Sequence, residues 1–195
     1  MKKTALHVAL LAGAVAVMGL SRSAHADDAP TAKQAAVAII HGAGDNKDKI
    51  KGTVSFVPAG DGVKVVADIE GLTPGKHGIH IHEKSDLSSP DLKSAGPHFN
   101  PGGAHHHGGP DDADHHAGDL GNIEADANGH GHLEMIAKDL SIEGSGNGVV
   151  GHSVIIHAGE DDMKSQPAGN SGDRIAGGAI NVRNGAGRQP DRGKD

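Results

Sequence analysis

The residues best placed to do chemistry lie between Gly78 and Asp119. In GIHIHE, His80 and His82 stand two apart between Ile79 and Ile81. Side chains of a β-strand alternate between faces, so the spacing predicts two imidazoles on one face and two isoleucines on the other. Such a pair is a bidentate metal claw backed by core. His98 follows, and then His107, His116 and Asp119, among glycine and proline turns. Three histidines and an aspartate are a donor set for tetrahedral zinc held within a loop. His98 lies between the two groups and could serve both.

These residues need a scaffold, and the chain around them reads as all-β. Short apolar runs, AAVAIIH, KGTVSFVP, VKVVADIEG and KHGIHIH, are separated by GAGDN, AGDG and LTPG. Later come GNIEADANGHGHLEMIAKDLSI with a hairpin signal at DANG, then GHSVIIHAG and GGAINVR. Spacing of about ten residues with turn signals suits an antiparallel sandwich or barrel, and eight strands can be counted. Two connections, Glu83 to Gly121 and Ala158 to Ala176, are too long for hairpins, and loops of that length are usually functional or disordered. With no Trp or Tyr and only Phe56 and Phe99, the core must be built from Val, Ile, Leu and Ala.

The ends read differently. Lys2 and Lys3 precede a run from Leu6 to Leu20 that is nearly all apolar, and Ala24-His25-Ala26 fits a small-x-small cleavage site. This predicts a signal peptide over 1–26, a linker over 27–34, a domain over 35–183 and a disordered tail over 184–195. The apolar run of about 16 residues falls short of the roughly 20 that a membrane span needs, so no span is expected after cleavage. The destination would be the periplasm or the exterior. Cleavage removes three basic residues and no acid, taking the formal charge from −7 to −10. An acidic chain argues against a nucleic-acid partner. Cysteine is absent, so an exported domain with long loops must hold them by means other than disulfides, and metal is the obvious candidate.

GIHIHE, SAGPHFNP, HGGP, HAGDLGN and GNSGDRIAGG, in this order, resemble the copper,zinc superoxide dismutase family. The resemblance covers almost all of the chain after Pro30. It implies an eight-stranded antiparallel Greek-key β-barrel with two long functional loops, one ordered by zinc and one electrostatic. It also implies an enzyme that converts superoxide anion to oxygen and hydrogen peroxide, and it allows a homodimer. The copper set it implies is His80, His82, His98 and His157, a four-nitrogen arrangement that suits both oxidation states of copper. The zinc set it implies is His98, His107, His116 and Asp119, with His98 bridging the two metals as an imidazolate.

One position leaves an alternative. The family has seven residues between the bridging histidine and the next zinc histidine, whereas His98 to His107 leaves eight, so counting forward from His98 gives His106. The match to HGGP gives His107, which is preferred because Gly102 and Gly103 let the loop absorb one residue. His105 and His115 are expected not to ligate. The resemblance places an orienting carboxylate at Asp161, linking a copper histidine to a zinc histidine, although Asp162 could equally fill that role. It makes Arg174 the guide for the anionic substrate, and the bland reading of Arg174 is a tie for loop carbonyls. Leu92 and Gly177 stand where the family has its paired cysteines, and Leu92 could replace the bridge by packing onto the barrel. The remaining histidines, His77, His130 and His132 among them, read as surface residues, with metal scavenging as an alternative. A dismutase-like metal-binding or delivery protein with little turnover is the second functional reading.

Overall fold

Alternation decides which residues turn inward. In the computed structural model, which describes residues 35–103, 105–144 and 146–183, Ala36, Ala38 and Ile40 of β1 (Ala35–Gly42) are fully buried. So are Val54 and Phe56 of β2 (Lys51–Ala59) and Val65, Ala67 and Ile69 of β3 (Gly62–Glu70). The same side is supplied by Ile79 and Ile81 of β4 (Gly75–His82) and Ile123 of β5 (Asp119–Ala125). β6 (Gly131–Ala137) alternates exposed residues with the partly buried Leu133 and Met135, and β7 (Ser153–His157) and β8 (Arg174–Arg183) complete the core with Val154, Ile156, Ala176 and Ile180. The expected leader, linker and tail lie outside the described residues, among which no helix is long and apolar enough to cross a membrane.

Every neighbouring pair of strands is antiparallel, and the sheet closes in the order β1-β2-β3-β6-β5-β4-β7-β8. β3 and β4 are consecutive in sequence but not adjacent in space, and neither are β6 and β7. These two crossovers make the barrel a Greek key. Closure removes every open edge, so all eight strands find backbone partners without a second sheet.

Three connections are long. The first two run from Glu83 to Gly118 and from Ala158 to Asp173, each ending three residues earlier than the sequence predicts, because β5 starts at Asp119 and β8 at Arg174. A third, from Lys138 to His152, was read as strand up to Ile142. There the chain leaves β6 and makes only an isolated bridge between Ser141 and Gly148. Leu140, Ile142 and Val149 still enter the core, and the first two explain why the pattern up to Ile142 resembles a strand.

Candidate metal centre

With Ile79 and Ile81 facing inward, His80 and His82 point out of the barrel wall, and the two long loops cover them. Register does the rest. Across β4 and β5, His80 faces Asp119, and His82 makes a bridge with His98 of the first loop. On the other side β7 lies against β4 and ends at His157, which pairs with Arg174 at the start of β8. Residues far apart in sequence thus meet at one end of three adjacent strands.

Two groups of side chains converge there, with His98 in both. In the first, one nitrogen each of His80, His82, His98 and His157 lie within 4.8 Å of one another. His80 Nδ1, His82 Nε2, His98 Nε2 and His157 Nε2 are buried without any hydrogen-bond partner. Buried polar atoms are seldom left so, and four orphans in one group are a donor set that could hold a metal ion. Their partners select the tautomer. His80 Nε2–H donates to Asp161 Oδ2 at 2.8 Å, His82 Nδ1–H to the Gly96 carbonyl at 2.9 Å, and His157 Nδ1–H to the Gly172 carbonyl at 3.1 Å. Each ring therefore presents a lone pair to the shared space, as metal-binding imidazoles do.

Burial keeps these rings neutral. Desolvation, reinforced by neighbouring histidines, pulls His80 down to about 3 despite Asp161. It also pulls His157 down to about 4, with the positive charge of Arg174 contributing. His82 is lowered by burial, then by His98 and Arg174. Protons are poor competitors for these nitrogens.

The second group gathers on Asp119. Its Oδ1 lies 2.7 Å from His98 Nδ1, 3.0 Å from His107 Nδ1 and 3.3 Å from His116 Nδ1. Zinc bonds of about 2.0 Å give a tetrahedron with edges of roughly 3.3 Å, and the three distances from Asp119 Oδ1 lie at or below that length. The other oxygen, Oδ2, accepts the backbone N–H groups of Gly108 and His116. Burial opposes charge at His107, but bonds to Asp119 and Asp161 prevail and push it up to about 9.

The structure brings His107 and not His106 to this group: His107 is 4 % exposed, while His106 lies on the surface beside Asp114. His105 and His115 also stay out of it, near Asp114 and the Asp112 carbonyl respectively. Asp161 lies between the two groups, accepting from His80 Nε2 through one oxygen and from His107 Nε2, at 2.9 Å, through the other. Asp162 instead caps its own loop through Lys164, Ser165 and Asn170. Gly169 makes the Asp161 link sterically feasible, since its φ is +62° and a Cβ there would overlap Asp161 Oδ1.

Arg174 is tied into the first loop. Its guanidinium donates to the carbonyls of Leu92 and Gly96, each at 2.8 Å, and its charge is felt at His82 and His157. Leu92 is 5 % exposed and packs with Ala95 and Ile155. Its Cδ1 lies 3.4 Å from where a Gly177 Cβ would be, so an apolar contact occupies the place of the absent disulfide.

The family model for copper/zinc superoxide dismutase (SODC) matches residues 50–180. The chain belongs to the copper/zinc superoxide dismutase family. It is 37 % identical over 156 residues to an extracellular Cu-Zn superoxide dismutase of Brugia pahangi, spanning 75 % of each chain. It is also 41 % and 42 % identical, over 153 residues, to the copper chaperones for superoxide dismutase of Rattus norvegicus and Homo sapiens. Those matches cover 75 % of this chain but 52 % of the chaperones, so the chain spans about half their length. Among solved structures it resembles the clock protein EA4, with a TM-score of 0.70 and 37 % identity over 78 % of this chain and 97 % of that one.

Two contributors escaped the sequence reading. His77, taken for a surface residue, is 2 % exposed, with Nδ1 2.8 Å from the His157 carbonyl and Nε2 2.9 Å from that of Thr73. Alternation from Ile79 puts it on the inward face of β4, a signal that could have found it. Gln166 left no such signal. Its amide accepts from the His107 N–H at 2.9 Å and donates to the His107 carbonyl at 2.8 Å, clamping that residue to the second loop.

Proposed function

We propose that this chain is an exported superoxide dismutase, with copper held by His80, His82, His98 and His157 and zinc by His98, His107, His116 and Asp119. The observation that carries this reading is the set of four unpartnered, buried imidazole nitrogens converging beside an arginine. Copper bound there supplies the one-electron chemistry that turns two superoxide ions and two protons into oxygen and hydrogen peroxide.

The chain's own residues do the rest. Arg174, held by two loop carbonyls, offers a fixed guanidinium to a small anion beside His157 and so attracts and orients it. His98 directs Nδ1 to the Asp119 group and Nε2 to the other, so one ring couples the two sites, and Nε2 is where it can hold a proton when that contact opens. Asp161 fixes His80 and His107 together, which makes the geometry of one site depend on the other. Export to the periplasm or exterior rests on the pattern of residues 1–26 and on the likeness to a relative named as extracellular.

The identity to copper chaperones favours a second reading, a protein that binds or delivers copper and zinc with little turnover. Measuring copper and zinc per chain together with superoxide decay by the loaded protein decides between them. Full metal content with rapid decay supports the enzyme. Full content without it supports delivery.

A further inference from the structure

Asp161 links the two groups, and its place is set from outside its own loop. The neck of the second loop is closed by backbone bonds, from the Ala158 N–H to the Asp173 carbonyl at 2.8 Å, from Gly159 to Ser171 at 2.8 Å and from Asp162 to Gly169 at 2.9 Å. The Asp161 backbone turns instead to the barrel. There its N–H donates to Asn122 Oδ1 at 2.8 Å, and Asn122 Nδ2–H donates to its carbonyl at 2.9 Å. One side-chain amide thus serves both polar groups of one residue, as a neighbouring strand would. A backbone N–H only donates and a carbonyl only accepts, so the two bonds fix which way the amide faces.

The strands around Asn122 add a second argument. Asn122 stands three residues after Asp119 on β5, so one strand sets both carboxylates of the centre, Asp119 directly and Asp161 through the amide. Gly78, the partner of Asn122 on β4, donates its N–H to the Gly159 carbonyl at 2.9 Å. A Cβ on Gly78 would stand 2.9 Å from Ser171 Cβ and 3.4 Å from Asp161 Cβ, so the loop lies directly against the strand. With its backbone held in this way, the buried Asp161 accepts the Met163 N–H on Oδ1 at 2.7 Å and reaches His107 and His80 with its two oxygens.

We propose that Asn122 is a positioning residue, which docks Asp161 on β5 before any metal arrives and so couples His80 of one group to His107 of the other. Its amide touches neither imidazole and acts through Asp161 alone. The coupling rests on the copper and zinc reading given above, whereas the docking of Asp161 does not.

Amide hydrogen exchange in the metal-free protein tests the docking. The Asp161 N–H is expected to be protected in the wild type and to exchange about 10-fold faster or more in Asn122→Ala, with amides of β1 to β3 unchanged. Copper and zinc titrations test the coupling. Asn122→Ala is expected to weaken each affinity by about 10-fold, but by less than about 2-fold when Asp161→Asn is already present, because a residue that acts through Asp161 then has nothing left to position. A general loss of stability would instead weaken binding equally in both backgrounds. Asn122→Thr favours a strand and lacks the two-way amide, so it should give the same results and keeps the test open if the alanine variant fails to fold. Equal Asp161 exchange in wild type and variant, or equal losses of affinity in the two backgrounds, would overturn the proposal. A wild type that binds neither metal would overturn the function proposed above and the coupling with it, while the exchange of Asp161 still decides the docking.

Discussion

His157 is the residue on which the four-nitrogen group depends, because it comes from a different strand than His80 and His82 and closes the group from the far side. Its strand is anchored by Val154 and Ile156, not by the imidazole. His157→Ala is therefore expected to leave the barrel folded while copper affinity falls by about 100-fold or more, since even outer partners of a metal site are worth 10- to 100-fold. Circular dichroism with a copper titration checks this, and unchanged affinity would remove His157 from the ligand set. Leu92 is a residue of the other kind, with no chemistry but a place in the fold. Burying a leucine is worth about 1.5–3 kcal/mol, comparable with the roughly 2–5 kcal/mol of a native disulfide. Leu92→Ala should cost about 2 kcal/mol in denaturant unfolding. The wild type, lacking cysteine, should melt at the same temperature with or without a thiol reductant. Motif-borne residues of this site were legible because each motif fixes its own spacing: GIHIHE placed two imidazoles by alternation alone. His106 and His107 were not separable that way. The choice between them is made by Asp161 and Gln166, more than fifty residues downstream.

At the scale of elements, the strands carry the centre and the loops complete it. β4, β5 and β7 were readable from apolar runs and turn residues, since these strands are buried at nearly every position, on the barrel side and under the loops. The loop between β6 and β7 was not, because two core residues outside any strand, Leu140 and Ile142, imitate one. The two functional loops are joined chiefly through His107, whose ring meets Asp161 and whose backbone meets Gln166. Gln166→Ala is expected to lower zinc affinity by about 10-fold, the scale of losing an outer partner, with copper affinity changed less. Competition with a zinc chelator measures it, and an unchanged affinity would show the clamp to be incidental. Removing zinc should act on the whole first loop. An ion present at 100 times its Kd stabilises the fold by about 2.7 kcal/mol, and in a domain of this size each kcal/mol moves Tm by about 2–4 °C. Zinc removal should thus lower Tm by roughly 5–10 °C and open Glu83 to Gly118 to proteases. A metal-free protein as stable and as resistant as the loaded one would refute the ordering role.

For the whole molecule, charge and chemistry pull in opposite directions. A formal charge of −7, or −10 after the expected cleavage, would repel the superoxide of the proposed reaction at long range, so any attraction must be local. Salt confines such fields, with a Debye length of about 8 Å at physiological ionic strength. Arg174 is the cation that the register sets beside His157, and Lys164 on the loop that leads into β8 is a weaker contributor. Because Arg174 also holds the carbonyls of Leu92 and Gly96, its removal has two separable effects. Arg174→Ala in the copper-loaded protein should reduce the second-order rate by roughly 10-fold or more, the lower end of electrostatic focusing, and flatten its decline with salt. It should also loosen the first loop, seen as faster proteolysis. Arg174→Lys restores the charge without the planar fork, so part of the rate should return while loop protection recovers less. Arg174→Glu should be slower than alanine and should gain rate as salt rises, because screening weakens a repulsion instead of an attraction. Stopped-flow superoxide decay across a salt series on the four proteins, with copper content measured in each, reads both effects. Equal rates with altered loop protection would reduce Arg174 to a loop tie and shift the functional reading toward metal delivery.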